Sequence, residues 1–178
     1  MVYDGVLKGR FVDLKSITLD DAQFSYDIRL SVSDTVGVVA KTPDDQKHFI
    51  EWQMKAPDDY YFVVYNKTGE RIGLIGLYNI HDDIGELGRE VNVGSCVEVI
   101  EAQILVQDFA MDVLGLKKFC FVIYANNTKN LNNQKHFGGP PLKKVIRSGK
   151  ECYYYEFELS KDTPLRKTLA KVDNTFLA

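Results

Sequence analysis

The stretch SCVEVIEAQILVQDFAMDVLGLKKFCFVIYA, Ser95 to Ala125, decides how the rest of the chain is read. Its first four residues have the S-x-x-E form, in which a serine starts a helix and a glutamate reaches back to it. The spacing predicts a helix over residues 96–114. Val97, Ile100, Ile104 and Met111 lie on one side, and Ala102, Leu105, Phe109 and Val113 on another. Only a stripe with Glu101, Asp108 and Asp112 is polar. A helix apolar nearly all round packs between a sheet and a further layer. Gly115 ends it, and residues 118–125 form a buried-strand run. A strand reached through a helical crossover lies parallel to the strand before it.

Working outward, residues 86–93, 71–80 and 60–66 read as strands joined by short turns, an antiparallel meander. Upstream, Thr42-Pro43-Asp44-Asp45 opens a helix to about Lys55, with threonine as cap and proline in the first turn. Another helix is expected over residues 20–31, after one extended segment over 7–18. Downstream, an Asn-rich run at 126–133 weakens a short helix, since asparagine is a poor helix-interior residue. Residues 142–147 and 151–160 then form a hairpin about Ser148-Gly149-Lys150, with Tyr153, Tyr155, Phe157 and Leu159 alternating along its second arm. The expected fold class is α/β, a mixed, mostly antiparallel sheet with helices on both faces, built as one domain over residues 1–178.

Composition fits a globular chain, with 45% hydrophobic and 26% charged residues. The net charge of −3 and the lack of a basic block argue against a nucleic-acid partner. No apolar run approaches the ~20 residues that span a bilayer. Residues 1–10 lack the pattern of a signal peptide, so a cytoplasmic protein without a membrane partner is expected. Cys96, Cys120 and Cys152 are too far apart for a C-x-x-C metal site, and no metal is expected. A monomer and a homodimer fit equally well.

The element order resembles the GCN5-related N-acetyltransferases, and particular stretches carry the likeness. Leu7-Lys8-Gly9-Arg10-Phe11-Val12-Asp13-Leu14 and Leu19-Asp20-Asp21-Ala22 look like the start of the branch that acetylates protein N-termini and related amines. Glu101-Ala102, Leu105-Val106-Gln107-Asp108-Phe109-Ala110 and Leu114-Gly115-Leu116-Lys117-Lys118 resemble the central helix and its exit. Asn127, with Lys135 and Phe137 before Gly138, looks like the segment that follows. The resemblance implies acetyl-CoA as co-substrate, handled within residues 86–138, and a small-molecule amine as acceptor. It implies that the pantetheine arm lies between two splayed strands, with the pyrophosphate on the central helix N-terminus, where N–H groups and the dipole favour an anion. The implied cofactor contacts are Val91, Val93, Gly94, Ser95, Val97, Val99, Asn127 and Gln134.

Two positions depart from the family pattern. Its glycine-rich loop would place glycines at Ser95 and Val97, and Glu98 adds a negative charge in the first helical turn. Either a divergent loop still cradles the phosphates, or the capping box has replaced the anion site and CoA binding is weak or lost. The alternative to an enzyme is a non-catalytic module of the same fold that binds an acyl-CoA or a protein partner. The tyrosine that protonates the leaving thiolate falls on Gln134, so Tyr124 is the candidate substitute acid, with a core or rim tyrosine as its plainer alternative. Glu90 is the candidate general base, directly or through a water, with Glu86 on the same face by strict alternation. Each of these carboxylates has the plainer alternative of a solvated strand residue. Asn127 has that of a turn residue, and Trp52 is either an acceptor contact or packing. His48, His81 and His136 form no triad.

Overall fold

A computed structural model describes residues 1–34, 39–137 and 139–172. Gly138 and the side chains of Lys135, His136 and Phe137 lie outside the described residues. The elements, in order, are strands β1 (Val6–Lys8) and β2 (Val12–Ser16), helices α1 (Ala22–Leu30) and α2 (Pro43–Lys55), and strands β3 (Tyr60–Asn66), β4 (Arg71–His81) and β5 (Ile84–Asn92). Helix α3 (Cys96–Asp112), strand β6 (Lys118–Tyr124), helix α4 (Thr128–Phe137), strands β7 (Lys143–Arg147) and β8 (Lys150–Glu158) and helix α5 (Pro164–Ala170) follow. Eight strands make one sheet in the order β1-β2-β3-β4-β5-β6-β8-β7. All neighbours are antiparallel except β5 and β6, as the crossover through α3 requires.

Two apolar layers hold the sheet. Leu14, Phe62, Ile75, Leu77 and Leu87 pack on one face against Ala102, Val106 and Phe109 of α3. Phe109 is met edge-on by Tyr3, Tyr60 and Phe62, with ring centroids 5.0, 5.0 and 5.6 Å away. On the other face Tyr61, Val63, Leu74 and Val91 pack against Ile28 of α1 and Ile50 of α2. Thr42 caps α2 as expected, accepting from the Asp45 N–H at 3.1 Å. Trp52 is 57% exposed, with its ring centroid 5.9 Å from that of Phe49.

The extended segment expected over residues 7–18 is instead two paired strands, and Glu101 explains the break. Its side chain is not part of a solvated stripe; the residue is 5% exposed. The carboxylate accepts from the backbone N–H groups of Arg10 and Val12, both at 2.8 Å, and of Phe11. These three donors sit in a bend that no strand ladder satisfies, and a carboxylate has lone pairs for all of them. Gly9 is needed here because a Cβ would stand 2.5 Å from Glu101 Oε2. Asp108 is also partly covered, while Asp112 is exposed as expected. Asp108 pairs with Arg166 at 2.8 Å and Lys161 at 2.7 Å, and Asp112 with Lys161 at 2.6 Å, which fastens α5 and its approach to α3.

Glu101→Ala leaves three donors unpaired beneath the β1–β2 bend and is expected to cost about 3–5 kcal/mol. Urea denaturation checks this; a loss under about 1 kcal/mol means that water replaces the carboxylate.

Candidate active site

β5 and β6 are in register over three pairs only, Ile84↔Lys118, Gly85↔Phe119 and Glu86↔Cys120. Beyond them β6 stays with β8 as far as Tyr124↔Cys152, while β5 stays with β4 as far as Gly73↔Asn92. The sheet therefore splits, and backbone groups on both edges of the split have lost their ladder partners. A cavity of about 990 Å³ occupies the split and continues onto both faces. α2 contributes Phe49 and Gln46, β5 contributes Glu90 and Asn92, and β6 contributes residues 121–124. Cys96, Val99, Ile100 and Gln103 of α3 complete the wall, an i, i+3, i+4, i+7 stripe along one helix face.

A bulge sets the chemistry of β5. Gly88 pairs with Gly76 but Val91 pairs with Leu74, so Arg89 and Glu90 together oppose one residue, Ile75. Arg89 takes the extra step in the left-handed region, at φ 52°. Each residue beyond it is turned to the opposite face from strict alternation. Glu86 and Glu90 therefore do not share a face, which corrects the sequence expectation. Arg89 points to the α2 side, where it forks onto Asp59 at 2.7 and 2.9 Å and lies 3.9 Å from the Tyr78 ring centroid. Glu90 points to α3, where the Gln103 amide donates to both of its oxygens, at 3.0 and 2.9 Å.

The two carboxylates have opposite environments. Glu86 is 4% exposed and accepts from Tyr78 Oη and Asn79 Nδ2, each at 2.9 Å, and from both terminal nitrogens of Arg147. Burial pushes its carboxyl up, but the hydrogen bonds from Arg147, Asn79 and Tyr78 outweigh it and hold the group below its ordinary value. Glu86 is a committed anion and a poor base. Among the described residues, Glu90 forms no ion pair. Burial in the cavity wall pushes it up to about 7, against the opposing hydrogen bond from Gln103. A carboxyl that exchanges its proton near neutrality suits general base work.

The remaining candidates divide. Gly94, Val99, Asn127, Gln134 and Tyr124 line the cavity. Asn127 Oδ1 also accepts from the Asn130 N–H at 3.2 Å, so this residue caps α4 while facing the split. Val91 is packed in the core against α2, because the bulge turns it there. Val93 is 66% exposed, and neither it nor Val97 is among the cavity-lining residues. Ser95 is exposed, and both its N–H and its hydroxyl donate to Glu98 Oε2 at 2.7 Å. The same oxygen would lie 2.9 Å from a Cβ on Gly94, so a side chain there would push the Glu98 carboxylate aside. The sequence expectations missed Gln103, Arg147 and the Asp59–Arg89 pair. His81 is exposed, with Nδ1 2.9 Å from the Asn79 carbonyl, and lies off the cavity. Among the described residues, no group of His, Cys, Asp and Glu could hold a metal, and no helix is long and apolar enough to cross a membrane.

A sheet split beside a crossover helix is the arrangement that the resemblance implies, and comparison with known proteins gives the class. The family model described as Acetyltransferase (GNAT) domain matches residues 12–139. The chain belongs to the GNAT acetyltransferases and is an N-acetyltransferase enzyme. A GCN5-related N-acetyltransferase from Brucella melitensis has a similar structure, with a TM-score of 0.77 at 16% identity over 94% of this chain and 85% of that one. FdhC, a nucleotide-linked sugar GNAT, gives 0.70 at 18% over 98% and 97%. A mutant form of the spermidine N-acetyltransferase SpeG from Vibrio cholerae gives 0.68 at 14% over 84% and 95%. At these identities the likeness is one of fold. No curated protein matches the chain in sequence.

The family's co-substrate, acetyl-CoA, fits one part of this site better than the other. The split offers unpaired strand edges and apolar walls to a pantetheine arm. At the α3 N-terminus, Glu98 already engages the Ser95 N–H, where a phosphate would compete for it. Glu98→Gln keeps a capping side chain without the charge, and is expected to tighten acetyl-CoA binding about three- to tenfold by calorimetry. Weaker binding would show that the charged cap shapes the loop.

Glu86 gives a pH signature. Its folded value lies below the unfolded one, so its stabilisation is present above the unfolded value, near 4.3, and is lost as pH falls through the folded value. Glu86→Gln should therefore be less stable than the parent at pH 7, with the gap closing below about pH 4 in thermal melts.

Proposed function

We propose that the whole chain, residues 1–178, acts as one domain that moves the acetyl group of acetyl-CoA to the primary amine of a small molecule by direct transfer. Acetyl-CoA supplies a thioester carbonyl. An amine must be neutral to attack it, and Glu90 takes the ammonium proton, directly or through a water. The new C–N bond forms as the C–S bond breaks, the thiolate leaves with a proton from Tyr124 at the end of β6, and the second proton shed by the nitrogen passes to water, from which Tyr124 regains its own. The observation that carries this reading is Glu90 itself, in the wall of the split with its carboxyl pushed up to about 7. Glu98 at the loop and Gln134 in place of a tyrosine make the enzyme a divergent one.

Charges around the described part of the cavity balance, four cations against four carboxylates. Among its described residues, Arg29, Arg89, Lys129 and Arg147 stand with two carboxylates, Asp45 and Glu90. Asp59 and Glu86 match two of those cations from outside the wall. A balanced wall offers no surplus of carboxylates to a polycation such as spermidine, and an amino sugar linked to a nucleotide is the acceptor we favour. A protein N-terminus is the other acceptor to test.

Thiol release should be measured with a nucleotide-linked amino sugar, spermidine and an N-terminal peptide. Glu90→Gln is expected to lower turnover about 100-fold at pH 7.5, with acetyl-CoA affinity near that of the parent. The parent's kcat/KM should rise with pH through a limb near 7, because the base works deprotonated. Unchanged turnover in Glu90→Gln overturns the assignment.

A further inference from the structure

α3 presents Cys96, Val99, Ile100 and Gln103 to the cavity. Gln103 contributes the one amide of this stripe. A polar side chain in such a wall is costly unless it is hydrogen-bonded, and its NH₂ group is directed wholly at Glu90, 3.0 Å from Oε1 and 2.9 Å from Oε2. An amide suits this position chemically. It donates a hydrogen bond to an anion, carries no charge, and cannot take the proton that Glu90 is there to receive.

We infer that Gln103 is a positioning residue for the transfer reaction: it fixes the Glu90 carboxylate from the α3 side and sets how strongly that group holds a proton. The inference rests on Glu90 as the base. The bulge turns Glu90 toward α3, and Gln103 meets it there across the cavity wall. This leaves the outer lone pairs of the carboxylate for an ammonium or a water.

Charged groups approach the cavity from several elements: Arg29 from α1, Asp45 from α2, Lys129 from α4, and Arg89 and Arg147, which are held by Asp59 and Glu86. Cys96, Tyr78 and Tyr124 are the neutral titratable groups of the wall. Burial raises the proton affinity of Glu90, and the hydrogen bond from Gln103 lowers it. Gln103 thus offsets part of the burial.

The test is a carbon-13 NMR titration of the Glu90 carboxyl in the ligand-free protein, alongside the pH profile of kcat/KM. Gln103→Leu keeps the bulk and removes the donor, so the Glu90 titration and the acid limb should both move up by about one unit. Gln103→Lys places a cation on the same carboxylate and should move both down by about one unit. Opposite shifts from one position are not what a packing defect gives. If Gln103→Leu does not fold, Gln103→Met carries the same expectation. A Glu90 titration unmoved by both the neutral and the cationic variant overturns the inference. The reading beneath it fails differently. If Glu90→Gln keeps the parent's acid limb, Glu90 is not the base, while the NMR shifts still decide whether Gln103 governs its proton.

Discussion

One extra residue in β5 governs the rest of the site. Without the bulge at Arg89, β5 would alternate regularly, and Glu90 would face α2 with Glu86. The left-handed backbone at Arg89 costs about 1–2 kcal/mol for a residue with a Cβ. It is held by a fork onto Asp59, which is 5% exposed, and by stacking over Tyr78. Bulges bend strands and increase their twist, and here β5 has parted from β6 just before the bulge. The same local event accounts for the open split and for the carboxylate directed at α3.

That event also shows what could be read from the sequence. β3 and α2 have the predicted bounds, because aromatic and β-branched runs and a Thr-Pro cap are local signals. The central helix and the parallel strand after it were legible for the same reason. The bulge was not, since the stretch from Glu86 to Asn92 gives no mark of a change of face; register belongs to the pair of strands. Glu101 looked solvated because its partners, the N–H groups of Arg10, Phe11 and Val12, lie some ninety residues upstream. The helix α5 was missed although Thr163-Pro164 repeats the Thr42-Pro43 signal, with Thr163 accepting from the Arg166 N–H at 3.3 Å. Gln103 did have a signal, an amide within an otherwise apolar stripe, but its meaning needed the position of Glu90.

Glu86 and Glu90 are the same residue type four positions apart on one strand, yet they hold protons very differently. Both feel burial. Glu86 meets a guanidinium from β7, which crosses over β8 and β6 to reach it, together with a phenol and an amide. Glu90 meets an amide alone. Pairs of carboxyls whose surroundings push them apart mark a division of labour. Here the fixed anion ties the β7–β8 hairpin to the meander and closes one end of the cavity, and the other carboxyl is left able to exchange a proton.

The α3 N-terminus shows the same constraint from the opposite side. A helix end has backbone donors to satisfy, and a carboxylate or a phosphate serves equally well. This chain supplies its own carboxylate, Glu98, which lies close against Gly94. Such a cap steadies the helix, and with it the stripe that ends in Gln103. The cap therefore acts on both halves of the site: it competes with phosphate at the mouth of the split, and further along it helps hold the helix whose amide meets the Glu90 carboxylate. A loop of glycines would remove the competition, but it would leave the first turn of α3 dependent on ligand for its order.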